Sequence, residues 1–345
     1  MTTTYSATAL QFRELSIGDP SLLPFFDKES KCFFCFPQWS RVLDAGYGIQ
    51  TKVYALMDGE KICLAMPAAK FDFGWFRLIH AYTPYGELVG DQGLHAMFVE
   101  QLEVHCKRTG IHQIRITQLN HKNGVLDQSY RVKEDCFQIL DLKAQTAESV
   151  WTGYKKNIRR DVRIGLNAGI VVESLTSLTE IDEYYGLYLE TMKRKKAYGP
   201  HPRKLYHEIA KQLTPTGEAV FLAAKLKGHY IGGIILLVFR ETVYLLGNAS
   251  DSDFHSLCPN DFLIHQAIHY TLQRGCRYFD FMTTGEPYSA AGKLSGFKEK
   301  WGAQRYPFYV YEKDVSQFHA SIWNPIWKFI NTTLGGSIIR MVFNR

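Results

Sequence analysis

The sequence predicts an α/β protein with mixed sheets and two domains in tandem. Its 345 residues exceed the length of one ordinary domain. In the second half, the hydrophobic patterns indicate a strand, two helices, three meandering strands, a helix, a strand, a helix and a last strand. Antiparallel strands followed by a β-α-β crossover form a mixed sheet, not a doubly wound one. The first half has a shorter version of this order, with hairpin strands, a helix and further strands, and it contains no internal sequence repeat.

Turn and helix signals place the elements of the first half. Asp58-Gly59 lies between two β-rich runs in residues 52–71, which is a strong hairpin signal. Residues 92–109 have helical periodicity and stop at Gly110, a residue that can cap a helix. Three extended segments complete this half, at 76–90, 112–119 and 135–142.

The second half opens with a predicted amphipathic helix over residues 148–169, apolar on one face and basic on the other. The apolar face carries Trp151, Tyr154, Ile158 and Val162, and the basic face carries Lys156, Arg159, Arg160 and Arg163. The later predicted strands are 170–175, 218–226, 229–239, 241–250, 277–282 and 305–312, and the helices are 178–197, 203–213, 261–275 and 293–304. We expect the last strand to close the sheet of this domain.

Composition narrows the class of protein. A net charge of +6 suits an anionic ligand, nucleic acid or an anionic membrane surface, and selects none of them. The N-terminus lacks the basic and apolar regions of a signal peptide, and no run of 18 apolar residues occurs. Seven dispersed cysteines fit a reducing cytoplasm. We therefore expect a cytoplasmic protein.

No metal site is predicted. The 12 histidines form no ligand pattern. Cys32 and Cys35 form a lone C-x-x-C, without the second pair of ligands that zinc needs. Chance is the simplest explanation for such an isolated motif.

Four stretches of the second half carry a family resemblance. They are "WTGYKKNIRRDVRIGLNAGIVV", "YYGLYLETMKRKKAYGPHPRKLYHEI", "CPNDFLIHQAIHYTLQRGCRYFDFM" and "LSGFKEKWGAQ". In this order they resemble the FemAB-like family of aminoacyl and acyl transferases, a branch of the Gcn5-related N-acetyltransferase (GNAT) superfamily. The last stretch is similar to the family's "FK..FG" segment, with Trp301 in place of the usual Phe. In the first half the resemblance depends on "PQW", "DGEKICLAMP" and "TPYGEL".

The resemblance implies two tandem GNAT-like acyltransferase domains. We expect the first over residues 1–145 and the catalytic one over 146–313, followed by an aromatic and basic helical tail over 314–345. The substrate cleft is expected between the domains or across the second. The tail segment "SIWNPIWKFINTTLGGSIIR" is further similar to FemAB-related proteins associated with bacterial exopolysaccharide and envelope systems.

The function implied is transfer of an acyl or aminoacyl group to an amine or hydroxyl of a cell-envelope, peptidoglycan or exopolysaccharide precursor. The donor is expected to be aminoacyl-tRNA or acyl-CoA, with no bound cofactor. Two alternatives stay open: an acetyl-CoA-dependent N-acetyltransferase acting on an amino sugar, and a non-catalytic scaffold in polysaccharide assembly. The turn "FHSLCPNDFL" lacks the glycines with which the superfamily holds the coenzyme A pyrophosphate, and this favours another donor.

Lys298 is the main catalytic candidate. In the resemblance, a lysine at the FK position stabilises the tetrahedral oxyanion of acyl transfer. Helical periodicity puts Leu294, Phe297 and Trp301 on a core-facing stripe with Lys298 on its shoulder and Lys300 toward water. Lys298 is therefore either an aimed cation or a snorkelling side chain with its ammonium in water. Phe297 is expected to anchor this turn and to contact substrate.

Three other residues near the same site are candidates. Asp280, at the end of a predicted strand, is either a general base or a structural carboxylate. Tyr288 lies in the following loop and is expected to line the acceptor site. Cys258 is a thiol without an evident general base, so an inert cysteine is the favoured interpretation.

The basic residues are expected to bind phosphate. Arg159 and Arg160 match arginines that the family keeps near this point, and Arg194 in "KRKK" lies near a family position associated with acceptor binding. Arg203 and Lys204 extend the same cationic region. The ligand is either a nucleotide-linked or lipid-linked glycan acceptor or the tRNA backbone. A solvated helix face is the alternative.

The tail contains Trp323, Trp327 and Phe329 together with Lys328. An aromatic helix of this kind either docks on its own domain or lies on a membrane surface. The second case predicts a peripheral protein at the inner face of the membrane.

Overall fold

A computed structural model describes residues 10–81, 84–119, 129–195, 200–283 and 296–330. The chain divides into two compact units, the first containing Met1–Asp135 and Pro307–Arg345 and the second Cys136–Tyr306. These limits differ from the predicted ones at residues 145 and 313. The described part of the predicted tail, residues 314–330, falls within unit 1, and the separate tail stays a prediction.

Unit 1 is built around a mixed sheet. Its strands run in the order β1-β2-β3-β4-β6-β13, β5 pairs with β3, and the β4–β6 pair is parallel. The strands are β1 (Leu10–Ser16), β2 (Gln50–Asp58), β3 (Lys61–Asp72), β4 (Arg77–Ala81), β5 (Val89–Gly90), β6 (Gln113–Leu119) and β13 (Gln304–Asp314). The helices are α1 (Leu22–Glu29), α2 (Pro37–Tyr47), α3 (His95–Thr109) and, at the end, α9 (Gln317–Ile330). The predicted hairpin at Asp58-Gly59 is present as β2–β3.

The strand predicted at 305–312 belongs mainly to unit 1. Phe308–Asp314 of β13 pairs antiparallel with β6. The pairing with β6 was not predicted, since the strand was expected only to close the sheet of the second domain. Alternation of apolar residues identifies a strand but not the strand it pairs with.

Unit 2 contains the mixed sheet that the sequence predicts. Its strands run in the order β7-β12-β11-β10-β9-β8, and only the β11–β12 pair among these is parallel. The strands are β7 (Arg131–Asp141, which begins in unit 1), β8 (Val171–Leu175), β9 (Ala219–Leu226), β10 (His229–Phe239), β11 (Thr242–Ser250) and β12 (Tyr278–Thr283). The helices are α4 (Ala147–Gly153), α5 (Lys156–Asn167), α6 (Leu178–Arg194), α7 (Arg203–Leu213) and α8 (Pro259–Gln273).

The predicted helix over 148–169 is two helices, α4 and α5. Tyr154 and Lys155 have extended backbones, with ψ of 141° and 150°, and so break the helix. The apolar face survives the break, because Tyr154, Ile158 and Val162 are all buried in the core.

The core of unit 2 lies on both faces of β10. Successive side chains of a strand point to opposite faces. Ile234 and Leu236 join a cluster with residues of α5 and α8, while Gly233 lies against Tyr184 of α6. α6 and α8 therefore cover the two faces of the central strands, and β11 runs between them.

Helix α9 packs on unit 1 through Trp323. The Trp323 ring stacks on Phe76, with ring centroids 4.5 Å apart and planes 8° apart. The opposite side of the helix presents apolar side chains to solvent, at Phe318, Ile322, Ile326 and Phe329. Within the described residues, no helix is long and apolar enough to cross a membrane.

We expect Gly90→Ala to lower the free energy of unfolding of unit 1 by about 2 kcal/mol or more. Gly90 has a φ of +120°, and an added Cβ would lie 2.3 Å from the backbone oxygen of Cys63. Gly59→Ala is the matched control, since its φ is +60° but nothing lies within 4 Å of the added Cβ. Urea unfolding should show a loss of about 1 kcal/mol for the control. Equal losses in the two variants would contradict this packing.

Candidate active site

The parallel strands β11 and β12 pair over only a short length. Thr242–Tyr244 pairs with Tyr278–Asp280, whereas β11 continues to Ser250 and β12 to Thr283. Beyond Tyr244 the described residues show no pairing between these two strands. An opening at the carboxyl ends of parallel strands is a common place for a ligand in α/β proteins.

Strand β11 is irregular and partly open at this point. Its pairing with β10 shifts between Leu245 and Gly247, so Leu246 is an extra residue in a β-bulge. The segment 245–248 is partly exposed, although Tyr244 before it and Ala249 after it are buried. The bulge therefore coincides with an accessible stretch in the middle of the unit 2 sheet.

Strand β12 has its own bulge at the opposite side of the opening. Its register with β7 shifts between Asp280 and Thr283, and Met282 has a left-handed φ of 63°. This conformation is strained for a residue with a side chain. The Asp280 carboxylate, 2% exposed, accepts a hydrogen bond of 2.7 Å from the Met282 backbone N–H and holds the bulge in place.

Lys298 is directed inward, to the end of β12. It lies in a helical segment at 296–299 and is 6% exposed. Its Nζ donates to the backbone oxygens of Met282 and Thr283, at 3.0 and 2.7 Å. The snorkelling alternative does not apply, since the ammonium is buried. The bulge of β12 supplies the two carbonyl groups that fix the Lys298 ammonium.

The surroundings of Lys298 differ from the helical pattern predicted. Phe297 is only partly buried, and the ammonium of Lys300 lies 4.4 Å from the centroid of its ring. Trp301 is buried, as expected. The inward face of the segment therefore carries Lys298 and Trp301, and Phe297 lies at its edge. Leu294 and Tyr288 fall outside the described residues.

The start of α8 is formed without a side-chain cap. Cys258 occupies the N-cap position with a left-handed φ of 54°, and neither Asn260 nor Asp261 caps the helix. Burial raises the pKa of the Cys258 thiol, and nearby carboxylates add to this. A raised thiol pKa opposes nucleophilic chemistry, in keeping with an inert cysteine. Asp261 lies 3.8 Å from Lys300, and burial raises the pKa of its carboxyl.

Arg194 lies at the end of β11. Its guanidinium donates to the Ser250 backbone oxygen at 3.1 Å and to Thr191 Oγ1 at 3.4 Å. The buried Ser250 hydroxyl is 3.2 Å from His255 Nε2 and accepts from Asn260 Nδ2 at 2.9 Å. These contacts tie α6, β11 and the start of α8 together. Arg203, by contrast, is in an ion pair with Asp182 on the surface.

The basic side chains of α5 line a groove of about 980 Å³. Arg159 donates to the Thr152 backbone oxygen at 2.9 Å, and the Arg163 guanidinium lies 5.5 Å from the centroid of the Trp151 ring. Gly165 lets α5 approach α8 closely, since a Cβ there would lie 3.0 Å from Phe262. The groove is lined by Trp151, Thr152, Lys156, Asn157, Arg159, Arg160, Arg163, Ile164 and Asn167.

Arg160 connects this groove to the start of α8. Its pKa is raised mainly by its hydrogen bond to Asp161, with smaller contributions from Cys258 and Asp261. Lys156, Arg159 and Arg163 form no ion pair with a described carboxylate. A row of cations without neutralising carboxylates suits phosphate oxygens. Among the described residues, no group of side chains is arranged to hold a metal ion.

Comparison with known families identifies the domain. Residues 152–289 match the family model of the acetyltransferase (GNAT) domain. The chain is an acyltransferase with a GNAT domain. The resemblance to FemAB-like enzymes is thereby confirmed at the level of the GNAT superfamily. A search of curated proteins found no match.

Solved structures with the same fold extend the comparison to both halves. FemX is similar with a TM-score of 0.66 and 13% identity, over 90% of this chain and 99% of that one. A tandem GNAT protein from the clavulanic acid biosynthesis pathway has a TM-score of 0.56 and 11% identity, over 89% and 99%. The C-terminal domain of a putative lysylphosphatidylglycerol synthetase from Agrobacterium fabrum has a TM-score of 0.52 and 14% identity, over 75% and 84%. The acyltransferase therefore has the predicted tandem GNAT-like architecture.

The acyltransferase brings only some of the predicted residues together. Lys298 and Asp280 meet at the bulge of β12. Arg159 and Arg160 lie in the groove of α5, and Arg194 lies at the end of β11. The prediction missed Gly247 and the tyrosine packed against it, Tyr184. A glycine inside a strand pattern is the signal that indicates such a close approach.

We expect unit 2 to lose stability as the pH falls from about 6.5 to about 4. His265 of α8 packs on Trp151, and its Nδ1 is 3.3 Å from the Tyr154 hydroxyl. Burial, with His269 adding to it, lowers the pKa of His265 to about 4. In this range the unfolded chain binds a proton at His265 that the folded chain does not bind. The free energy of unfolding is therefore lower by about 2–3 kcal/mol at pH 4 than at pH 6.5.

The measurement is urea unfolding at several pH values for the wild-type protein and His265→Phe. In the variant, the slope of the free energy of unfolding against pH should decrease by the uptake of about one proton across this range. His229→Phe, at an exposed position, is the control for replacing a histidine by phenylalanine. An unchanged slope in His265→Phe would show that this histidine is not the group responsible.

Proposed function

We propose that the protein transfers an acyl or aminoacyl group to an amine or hydroxyl of a cell-envelope, peptidoglycan or exopolysaccharide precursor. The reaction takes place in the opening between β11 and β12 of unit 2. Acyl transfer itself follows from the GNAT domain. The acceptor and the donor are the proposed parts.

The buried ammonium of Lys298 is the observation that carries this proposal. The bulge of β12 fixes it at one side of the opening. In the reaction, the nucleophile adds to the acyl carbonyl, and negative charge develops on the carbonyl oxygen. A fixed cation in a site with little water stabilises this charge more strongly than it stabilises the neutral carbonyl, and so lowers the barrier.

Asp280 has a supporting part in this mechanism. It is hydrogen-bonded to the Met282 N–H, so it maintains the bulge that aims Lys298. We therefore assign it a positioning role and prefer this to the predicted role as general base. Phe297, at the edge of the same segment, remains a predicted substrate contact, as does Tyr288.

The groove of α5 supports a substrate that carries phosphate. Both donors under consideration and a nucleotide-linked or lipid-linked glycan acceptor contain phosphate groups. Arg160 places the groove beside the start of α8, which follows β11 in the chain. A phosphate-bearing substrate held along α5 would therefore reach toward the opening. Arg194 remains a proposed contact at the end of β11.

The similar structures support an envelope acceptor. FemX shares the fold over most of the chain, and the name of the Agrobacterium fabrum protein joins a lysyl group to phosphatidylglycerol. If this protein likewise transfers an aminoacyl group, we propose aminoacyl-tRNA as its donor. Peripheral contact with a membrane stays a prediction, supported by the exposed apolar side of α9.

A second candidate is a coenzyme A-dependent N-acetyltransferase acting on an amino sugar. The matching family model, an acetyltransferase domain, favours it. The turn before α8 argues against it, because Asp261 stands where a pyrophosphate would approach the helix. A donor comparison separates the two: the protein is incubated with acetyl-CoA or with aminoacyl-tRNA, and consumption of each donor is measured.

We expect Lys298→Met to reduce kcat for donor consumption by about 10²–10³-fold, the cost of losing one group that stabilises the oxyanion. The methionine keeps the length of the side chain and removes the charge. Lys298→Arg should recover part of the rate, because it restores a cation. Lys211→Met, on the surface of α7, is the control for removing a lysine.

Full activity of Lys298→Met would contradict the proposed mechanism. A folded protein that consumes neither donor would support the scaffold alternative instead.

We expect Arg159→Ala/Arg163→Ala to weaken binding of tRNA or acyl-CoA about tenfold or more at low salt, with a smaller salt dependence of Kd. Each arginine that contacts phosphate contributes to that dependence. Lys107→Ala/Arg108→Ala removes two exposed cations from α3 and is the matched control. Equal effects of the two double variants would indicate non-specific attraction and would remove the groove from the proposal.

A further inference from the structure

One side of α9 presents a row of apolar side chains to solvent, called here the apolar stripe. Its members are between 39 and 70% exposed, and they are Phe318, Ile322, Ile326 and Phe329. In an α-helix these four positions fall within about 80° of the circumference. Trp323 lies on another side of α9 and is buried against Phe76. The helix is therefore apolar on the side that packs on unit 1 and also on the side that does not.

The turn between β3 and β4 exposes two more aromatic side chains beside this helix. Phe73 and Trp75 are each 44% exposed. Their ring centroids lie 4.6 and 5.9 Å from that of Trp323. The turn and α9 thus meet at Trp323. Their exposed side chains form neighbouring parts of one apolar surface on unit 1.

The backbone of the turn makes its hydrogen bonds within the turn itself. The Phe73 N–H donates to the Phe76 oxygen at 2.9 Å, and the Trp75 N–H donates to the Phe73 oxygen at 3.0 Å. The Gly74 N–H donates to the Asp72 carboxylate at 2.9 Å. Most backbone groups of α9 are bonded along the helix. These N–H groups therefore need no water, and such elements suit an apolar medium.

The charges next to this surface are mainly basic. Lys70 and Arg77 lie on either side of the turn, and the carboxylate between them in the sequence, Asp72, is in an ion pair with Arg77 at 3.1 Å. Residues 317–330, which form α9, contain Lys328 and neither Asp nor Glu. Residues 331–345 follow in the sequence with two arginines and again no acidic residue. A basic excess of this kind attracts anionic lipid headgroups.

We propose that this surface of unit 1 binds an anionic lipid bilayer, with the apolar stripe, Phe73 and Trp75 inserted at the level of the headgroups and the first acyl carbons. Helices with one exposed apolar side bind membranes in this way, and tryptophan is enriched at that depth. A protein partner fits less well. Protein interfaces contain about one hydrogen bond per 100–200 Å², whereas Trp75 is the sole hydrogen-bonding side chain among the six.

The inference goes beyond the proposed function, because it concerns unit 1 and would hold for any group transferred in unit 2. It gives the predicted peripheral contact a defined surface, to which the β3–β4 turn contributes. It also gives that contact a preference for one class of lipid.

The test is cosedimentation of the full-length protein with vesicles. One set contains phosphatidylcholine alone, and the other contains equal parts of phosphatidylcholine and phosphatidylglycerol. The wild-type protein should bind the mixed vesicles about tenfold more tightly or better. Phe318→Gln/Ile322→Gln on α9 and Phe73→Gln/Trp75→Gln on the turn should each weaken that binding about tenfold or more. Lys70→Gln should weaken it about fivefold.

Leu23→Gln/Val104→Gln is the matched control. It replaces two apolar residues of α1 and α3 in unit 1 that are 47 and 56% exposed, and it should leave vesicle binding unchanged. Circular dichroism and Tm establish that each variant is folded. Because Phe73 and Trp75 contact Trp323, the turn variant has the greater risk of unfolding. The α9 variant changes exposed side chains and keeps the test decisive.

Three results would overturn the inference: no binding of the wild-type protein to the mixed vesicles, equal binding to both kinds of vesicle, or an equal loss in the α9 variant and the control. Sedimentation equilibrium without vesicles tests another occupant. Self-association that is lost in Phe318→Gln/Ile322→Gln would assign the surface to a second copy of the chain, and would also overturn it.

Donor consumption separates this inference from the proposed function. Phe318→Gln/Ile322→Gln should consume the donor at the wild-type rate when no vesicles are present. If Lys298→Met is inactive and the wild-type protein does not bind vesicles, only the bilayer surface is wrong. If Lys298→Met is fully active and vesicle binding follows the expected pattern, the proposed mechanism is wrong and the bilayer surface stands.

Discussion

The candidate site depends on the early separation of two parallel strands. β11 and β12 share only the pairs from Thr242–Tyr278 to Tyr244–Asp280, and each then continues alone toward its carboxyl end. A bulge lies on each side of the opening, at Leu246 on β11 and at Met282 on β12. These two irregularities coincide with the end of the β11–β12 pairing and with the partly exposed segment 245–248.

One hydrogen-bonded cluster at the β12 bulge contains Lys298, Asp280 and Met282. A buried ammonium is costly unless it is hydrogen-bonded. The left-handed Met282 turns two successive carbonyl groups toward the lysine, and the Asp280 carboxylate holds Met282 in that conformation. The strain at Met282 and the burial of the charge are thus offset within the same few residues. Strain and buried charge of this kind are concentrated at functional sites in proteins.

The sequence was most informative where a local pattern determines structure. The β2–β3 hairpin, the helix ending at Gly110 and the order of elements from β8 to β12 were all predicted, because turn residues and periodicity act over a few residues. The pairing of β13 with β6 could not be predicted, since it depends on strands nearly 200 residues apart. Lys298 could be identified as a candidate, but its partners could not: the Met282 bulge has no signature in "RYFDFM". Tyr184 was missed because its environment is made by glycines on two other strands.

The proposed mechanism depends on binding of the donor's acyl group between β11 and β12 of unit 2. Photocrosslinking tests it most directly, with a coenzyme A thioether and an aminoacyl-tRNA amide that each carry a diazirine in the acyl chain. After irradiation, mass spectrometry of peptides locates the crosslink. We expect one of the two probes to label residues 245–248 or 281–283, in competition with the unmodified donor. Competed labelling confined to unit 1, or to the outer surface of α8, would contradict it.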